Sequence, residues 1–331
     1  MIFELNRSCF VSDNGTMSLI FMANIALKGR HRLYVCHPED EAYLKWFEGL
    51  GASLQENWRV ALDTSISLEA LESAKYSVLV CNDTDQCYDR ESLVLDLSAA
   101  ERLIYEPFKV FVENNGADRD FLLTFSTHDQ FNKIRELEAA NLFSFEHCGG
   151  ITELPKKVEY YANERRVNYL NCSAVFDSDA PSPDAASKEA MIAKDVCDRH
   201  GVFSHVLRRR AIENYLSRDW LNTWVNKSPK SARSNKKKIF TSYCKLNLEQ
   251  RSHFHMKRGL KVDKDGIQAG AITLYSDVSD GDLCTLNEGF GDNLAGDLYA
   301  ADWVQNAQTV NDSDAWGEVN GMINEILVQC R

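Results

Sequence analysis

The sequence predicts an α/β protein: a mostly parallel sheet flanked by helices, preceded by a further α/β region and followed by a C-terminal addition. Two observations carry this expectation. Short apolar runs alternate with stretches of helical periodicity, the pattern of repeated strand–helix units. Several of those runs stop abruptly in acidic, glycine or basic residues, and open α/β sheets place their sites beyond the C-terminal ends of strands. The chain has 331 residues, 44% apolar and 26% charged, enough for two domains or one large domain with additions.

In chain order, Arg32 to Cys36 is a strand, and Glu41 to Leu50 is a helix with Tyr43, Leu44, Phe47 and Leu50 at helical spacing. Pro38 is placed to open that helix and Gly51 to stop it. Leu68 to Leu71 is helical and Tyr76 to Cys81 is a strand ending near Asp83 and Asp85, an Asp-x-Asp pair read as a turn. Phe108 to Val112 is a strand ending in Glu113, followed by a helix whose first turn is acidic (Asp118, Asp120). Phe131 to Ala140 is a helix, and Leu142 to His147 a strand ending at Cys148-Gly149-Gly150. After a helix from Leu154 to Tyr161, Val167 to Phe176 is a strand running into Asp177-Ser178-Asp179. Residues two apart on a strand share a face, so Asp177 and Asp179 are expected side by side. Ser187 caps a helix to His200, Phe203 to Leu207 is a strand, and Arg208 to Leu216 turns helical. Asn226 to Lys238 is polar, basic and free of large apolar residues, which predicts a mobile loop. Trp303, Val304 and Trp316 to Val328 suggest terminal helices. The divisions expected are 1–105 for the N-terminal α/β region, 106–220 for the central sheet domain, and 221–331 for a region with a basic loop and an acidic tail.

Charge is strongly polarised. The net charge is −12, yet His205 to Lys264 holds 16 Lys/Arg against 4 Asp/Glu, and Asp265 to the end holds 12 acids and one base. Such a basic segment suits phosphates, or is neutralised by the protein's own tail, which would then restrain it or dock a regulator. The ten cysteines are scattered without a Cys-x-x-Cys pair, which predicts reduced thiols in a cytoplasmic protein and no structural zinc. No apolar run approaches the ~20 residues of a membrane span. The N-terminus has no basic-then-apolar signal pattern.

Close carboxylates repel unless a cation sits between them, and hard oxygen ligands suit Mg²⁺ or Mn²⁺. The order of Glu113, a glycine turn, Asp177-x-Asp179 and then Arg210-Ala-Ile-Glu213-Asn-Tyr-Leu216 resembles a Toprim domain. The resemblance is strongest to that of the overcoming-lysogenization-defect nucleases, and it covers about residues 107–217. It implies that Glu113, Asp118, Asp177, Asp179 and Glu213 are metal ligands, with Glu113, Asp177 and Asp179 catalytic. Asn114 stands where that family has Gly, and Asp118 comes five residues after Glu113 rather than four, with Asp120 as the substitute. The resemblance also implies a downstream catalytic lysine, for which Lys257 lies in suitable order. His253 and His255 alternate as on a strand, one interior and one at the surface; Trp220 and Trp224 read as core packing.

The function expected is a metal-dependent endonuclease, acting on DNA first and RNA (including tRNA) second. Arg208, Arg209, Arg210, Lys230, Arg233, Lys236, Lys237 and Lys238 are the candidate nucleic-acid contacts. No phosphate-loop motif is present, so control by nucleotide would come from a separate ATPase or sensor protein. Stand-alone proteins of this type resemble effectors of bacterial anti-phage defence; a homodimer is a further expectation. The alternative is a catalytically silent subunit that uses the same fold to bind nucleic acid or a partner.

Overall fold

The structure is a computed structural model that describes residues 1–11, 13–71, 73–82, 88–89, 92–164, 167–265, 273–300 and 313–330. Asp83, Asp85, Trp303 and Val304 lie outside the described residues. The architecture is α/β, built on two sheets.

The first sheet contains β1 (Ile2–Leu5), β2 (Arg32–Val35), β3 (Ser77–Cys81), β4 (Tyr88–Asp89) and β5 (Ser92–Asp96) in the order β2-β1-β3-β5-β4. All neighbours are parallel except the short edge pair β4–β5. Strand β1 lies between β2 and β3, with Phe3 opposite Leu33 and Val78. Its place inside the sheet is a tertiary fact, because it depends on pairing with β2 and β3. Helices α1 (Thr16–Ala26), α2 (Glu41–Gly49), α3 (Ala52–Leu71) and α4 (Leu97–Tyr105) accompany it. Asp40, not Pro38, opens α2, its carboxylate accepting from Ala42 N at 2.8 Å.

The second sheet is all parallel: β6 (Phe108–Val112), β7 (Phe143–His147), β8 (Cys172–Phe176) and β9 (Phe203–Val206), ordered β7-β6-β8-β9. Every residue of β8 is buried, as expected of a parallel strand covered on both faces. Its period of two separates the faces: Cys172, Ala174 and Phe176 pack against α7 (Leu154–Glu164) and α8 (Lys188–His200), while Val175 faces the larger core. That larger core also takes in β1, β3, β6 and the C-terminal helix, so it joins both sheets. Helices α5 (Asn115–Thr124) and α6 (His128–Ala139) complete this region.

Three expectations are corrected beyond β9. Arg208 to Leu216 is mostly non-helical, with only one 3₁₀ turn over Ile212–Tyr215. Asn226 to Lys238 is no loop: α9 (Arg218–Lys227) and α10 (Lys230–Lys245) meet there across Ser228-Pro229. The apolar face of α10 runs through Ile239, Phe240 and Tyr243, and the stem of Lys236 extends that stripe. The Lys236 ammonium lies 3.4 Å from the Trp224 ring centroid, and the Arg233 guanidinium donates to Ser228 O at 2.8 and 3.0 Å, closing α9. Composition misleads here because long basic side chains take over packing that apolar ones normally supply.

The acidic tail, finally, belongs to the core. After α11 (Leu248–His253) and α12 (Lys261–Asp265) come α13 (Asp280–Leu286), α14 (Leu294–Tyr299) and α15 (Ser313–Cys330). Leu286, Phe290, Leu294, Leu298, Val319, Ile323 and Ile326 are all buried. The tail does neutralise the basic segment in part, through Asp282 with Lys245 at 2.7 Å, and Glu288 accepts from Asn235 at 2.8 Å nearby.

Candidate metal and catalytic site

In the second sheet β7 lies on one side of β6 and β8 on the other, so the chain changes direction between β6 and β8. Sites of open α/β sheets form at such switch points. Glu113 follows β6 and Asp177 follows β8, and the Asp177 backbone N–H donates to Glu113 Oε1 at 2.9 Å across the opening. Asp177 Oδ1 in turn accepts from Ile212 N at 3.1 Å, which ties the segment after β9 into the site. On the other side, Gly149 N and Gly150 N both donate to the Glu113 carbonyl at 3.2 Å. Both glycines hold positive φ (89° and 107°), which is what lets two successive amides turn onto one oxygen.

Asn114 caps α5, accepting from Gly116 N at 3.2 Å, and its own N–H donates to Asp118 Oδ2 at 2.7 Å. The cap thus aims Asp118 back over Glu113. Asp120 lies on the same cleft but faces Arg119 at 3.4 Å, so Asp118 is the acid directed at Glu113. Glu213, 2% exposed, pairs with Lys257 Nζ at 3.0 Å. Glu113, Asp118, Asp177, Glu213 and Lys257 therefore line one cleft of about 750 Å³. Lys257 is the only Lys or Arg among the described residues lining it.

The electrostatics follow from burial and crowding. Burial pushes the Glu113 carboxyl up to about 7, with Asp118 and Asp179 adding to the effect against the Asp177 amide and Lys257. Burial likewise raises Asp118 to about 6, Glu213 contributing. Asp177 is driven well above the carboxylate range, by burial first and then by Glu113, Glu213 and Asp118. Burial alone would lower Lys257, but Glu213, Asp177 and Asp179 overcome it and its pKa is raised. Such a site favours positive charge, whether protons or a cation.

Asp177 and Asp179 are not side by side. The strand ends at Phe176, and Asp179 has a left-handed backbone (φ 48°), which breaks the two-residue alternation. Asp179 N donates to Arg210 O at 2.8 Å, and its side chain lines a smaller pocket of about 140 Å³ with Arg210, His255, Lys257 and Arg258. Glu213 and Lys257 line both spaces.

The arginine run is also corrected. Arg210 forms a buried two-pronged pair with Asp263 at 2.8 and 2.9 Å and donates to His253 O. Arg209 is buried, donates to Asn214 O at 3.0 Å and lies over the Tyr215 ring. Both side chains are turned into the protein, and only Arg208 of the three is exposed. Lys230, Lys237 and Lys238 are exposed on α10, while Arg233 and Lys236 are engaged with α9. His253 ends α11, buried against Ala180 O at 3.0 Å, and His255 is half-buried. Trp220 and Trp224 pack on the core as expected.

Sequence reasoning missed several residues. His147, the last residue of β7, sits in register with Val112 and lines the cleft; its place just before Gly149-Gly150 is a readable signal. Asp292 and Asp297, from the C-terminal region, also line the cleft, and no local pattern marks them. Glu318 on α15 accepts from Arg208 N at 2.8 Å and Tyr215 Oη at 2.7 Å and lies 3.0 Å from His205 Nε2. Burial alone would raise Glu318, but those three partners hold it below the usual carboxylate range. An acid on the apolar stripe of Ala315, Val319 and Met322 is its signal.

The donor chemistry fits a hard divalent cation: several carboxylates, mutually repelling, partly shielded from water. Among the described residues, however, no three His, Cys, Asp or Glu side chains are gathered closely enough to hold an ion as they stand. No family model, curated protein or solved structure matches this chain.

Proposed function

We propose that this protein is a metal-dependent nuclease that hydrolyses phosphodiester bonds. One observation carries the reading: four carboxylates from three segments of the chain line one cleft at the switch point of a parallel sheet, beside Lys257. Glu113, Asp118, Asp177 and Glu213 would hold Mg²⁺ or Mn²⁺, with Asp179 on the adjoining side of Glu213. When bound, the cation supplies charge stabilisation at the phosphate and a more acidic water.

The chain's own groups supply the rest. If Glu113 does not itself hold the cation, its carboxyl, raised by burial, is suited instead to accept a proton from the attacking water and return one to the leaving oxygen. Lys257, kept protonated beside Glu213, offsets negative charge growing on the phosphate. Exposed Lys230, Lys237 and Lys238 suit the flanking phosphates, and α9 connects their helix to the cleft wall through Trp224 Nε1 and Asp297 at 3.2 Å. DNA is the first substrate to try and RNA the second, with a separate ATPase or sensor as the source of control. The setting that fits is anti-phage defence. Cleavage by wild type in Mg²⁺ or Mn²⁺, and none by Asp177→Ala, is the expected result. Absence of cleavage with every such substrate and activator would sink the reading.

A second reading has its own support. The carboxylates are not drawn together around an ion position, and burial shifts Glu113, Asp118 and Asp177 toward their neutral forms. A silent binding subunit would show this arrangement, and would bind nucleic acid equally well with Asp177→Ala.

A further inference from the structure

Lys257 is the only Lys or Arg lining the cleft among the described residues, and its position is set from a distant part of the chain. The loop His255–Leu260 crosses the segment Leu286–Gly291, which follows from α13. Leu260 N donates to Leu286 O at 2.8 Å, Phe290 N to Met256 O at 2.7 Å, and Gly291 N to Lys257 O at 3.1 Å. Within the loop, Gly259 N donates to His255 O at 2.8 Å, so the crossing has little freedom.

The crossing is close because both segments carry glycine where they touch. A Cβ on Gly289 would lie 2.4 Å from both the carbonyl carbon and the oxygen of Lys257 and 2.5 Å from Arg258 N. A Cβ on Gly259 would lie 2.5 Å from the Glu288 carbonyl carbon, and Gly259 also holds a left-handed φ of 75°. In each case the obstacle is backbone, which cannot rotate aside as a side-chain tip can. Bringing the Gly289 approach out to an ordinary 3.4 Å requires about 1 Å of movement, and the peptide that must move is the one joining Lys257 to Arg258.

We propose that Gly289, with Gly259 as its counterpart, is a positioning residue that sets Lys257 against Glu213 by allowing the two segments to meet backbone to backbone. The consequence for cleavage rests on the nuclease reading; the placement of Lys257 does not. The C-terminal region thereby shapes the site without contributing a group to the reaction at this point.

The test compares Gly289→Ala with Gly281→Ala, a glycine of the same region with open space around its Cβ. Gly289→Ala is expected to cleave about 100-fold more slowly, the scale of a 1 Å misplacement. In a Lys257→Ala background the same substitution should cost nothing further, because it acts through Lys257. Losses that add in the double variant would overturn the proposal, as would full activity in Gly289→Ala. Hydrogen exchange gives a readout independent of cleavage: amides of Leu260, Phe290 and Gly291 should exchange about tenfold faster in Gly289→Ala, with β8 amides unchanged. Unchanged exchange at the crossing would also overturn it. Should Gly289→Ala fail to fold, wild type decides: crossing amides as protected as β8 support the proposal, and amides exchanging like open chain refute it. Should wild type cleave nothing, the nuclease reading falls, while the exchange comparison still decides the positioning.

Discussion

The molecule contains two largely parallel sheets, each with a switch point, and among the described residues only the second lines that point with several acids. In the first sheet the change of direction falls between β1 and β3. The residues leaving those strands are Asn6 and Asn82, with Cys36 beyond β2. Asn6 accepts from Ser8 N at 3.1 Å in a local turn, and Asn82 N donates to Ser8 Oγ at 3.0 Å, so a neutral hydroxyl ties these two strand ends together. Asp96, the last residue of β5, caps α4 through Ala99 N at 2.7 Å. In the second sheet the acids accept amides from other segments: Glu113 from Asp177, and Asp177 from Ile212. Caps satisfy a carboxylate near its own helix, whereas acids placed on different strands remain crowded with one another. The fold supplies the position; the choice of residue decides whether the position carries chemistry.

The largest expected effect is the direct contrast between the two edges. Asp177→Asn should lower metal-dependent cleavage about 10³-fold or more, since metal-assisted charge stabilisation is worth several kcal/mol. Asn82→Ala, at the first switch point, should stay within about twofold, as exposed substitutions away from a site usually do. Comparable losses in a cleavage assay would erase the distinction.

Next in size is a stability effect at the acid-lined edge of the second sheet. Asp263→Ala leaves the Arg210 guanidinium buried without its carboxylate, and should cost about 3–5 kcal/mol in denaturant unfolding. Replacing both, as Arg210→Met with Asp263→Leu, should recover most of it. A small loss for Asp263→Ala alone would show that the pair is dispensable.

Smaller, and with a definite sign, is the pH dependence. The Glu113 carboxyl has its pKa raised from 4.5 to about 7 by burial, so the folded state holds that proton more tightly than the unfolded chain. Its contribution is fully present below about pH 4.5 and lost as pH rises through about 7. Metal-free protein should lose about 1–3 kcal/mol over that window, a slope that Glu113→Gln should flatten. Mg²⁺ should bind more tightly as pH rises through the same range, because its ligands must ionise. Thermal melts across that range, with and without metal, measure both; an unchanged slope in Glu113→Gln would remove Glu113 as the source.

The smallest effect concerns the basic helix. Neutralising Lys230, Lys237 and Lys238 together should weaken nucleic-acid binding and lower the salt slope by about 1 for each phosphate no longer neutralised. An unchanged slope would leave α10 as a solvated face.

How much of this is legible in the chain differs between the same two regions. Strand ends in the second sheet are readable because apolar runs stop at Glu113, at Gly149-Gly150 and at Asp177. The order of those stops even suggests a shared site. In the first sheet β1 goes unread, and its interior position depends on pairing with β2 and β3. The Arg208–Arg210 run looks like a phosphate grip, yet Asp263, which turns Arg210 inward, is far away in sequence. The Tyr215 ring beneath Arg209 is nearer, but only the non-helical path between them brings it there. The same holds for α10, where packing by the stems of Arg233 and Lys236 on α9 hides a helix inside a basic stretch.

By itself the sequence determined the α/β class, the strands of the second sheet apart from the start of β8, where Asn168–Asn171 form a 3₁₀ turn instead, and the acids at their ends, because period, run length and the residue after each run are local properties. Tertiary structure alone decided that Asp177 and Asp179 face different spaces, that Arg209 and Arg210 are internal, and that the acidic C-terminal region is core rather than tail. It also decided that Lys257 meets Glu213, beside a crossing whose closeness depends on glycine. Each of these depends on residues brought together by the fold, and hydrophobic periodicity carries no record of which distant partner a charged side chain will find.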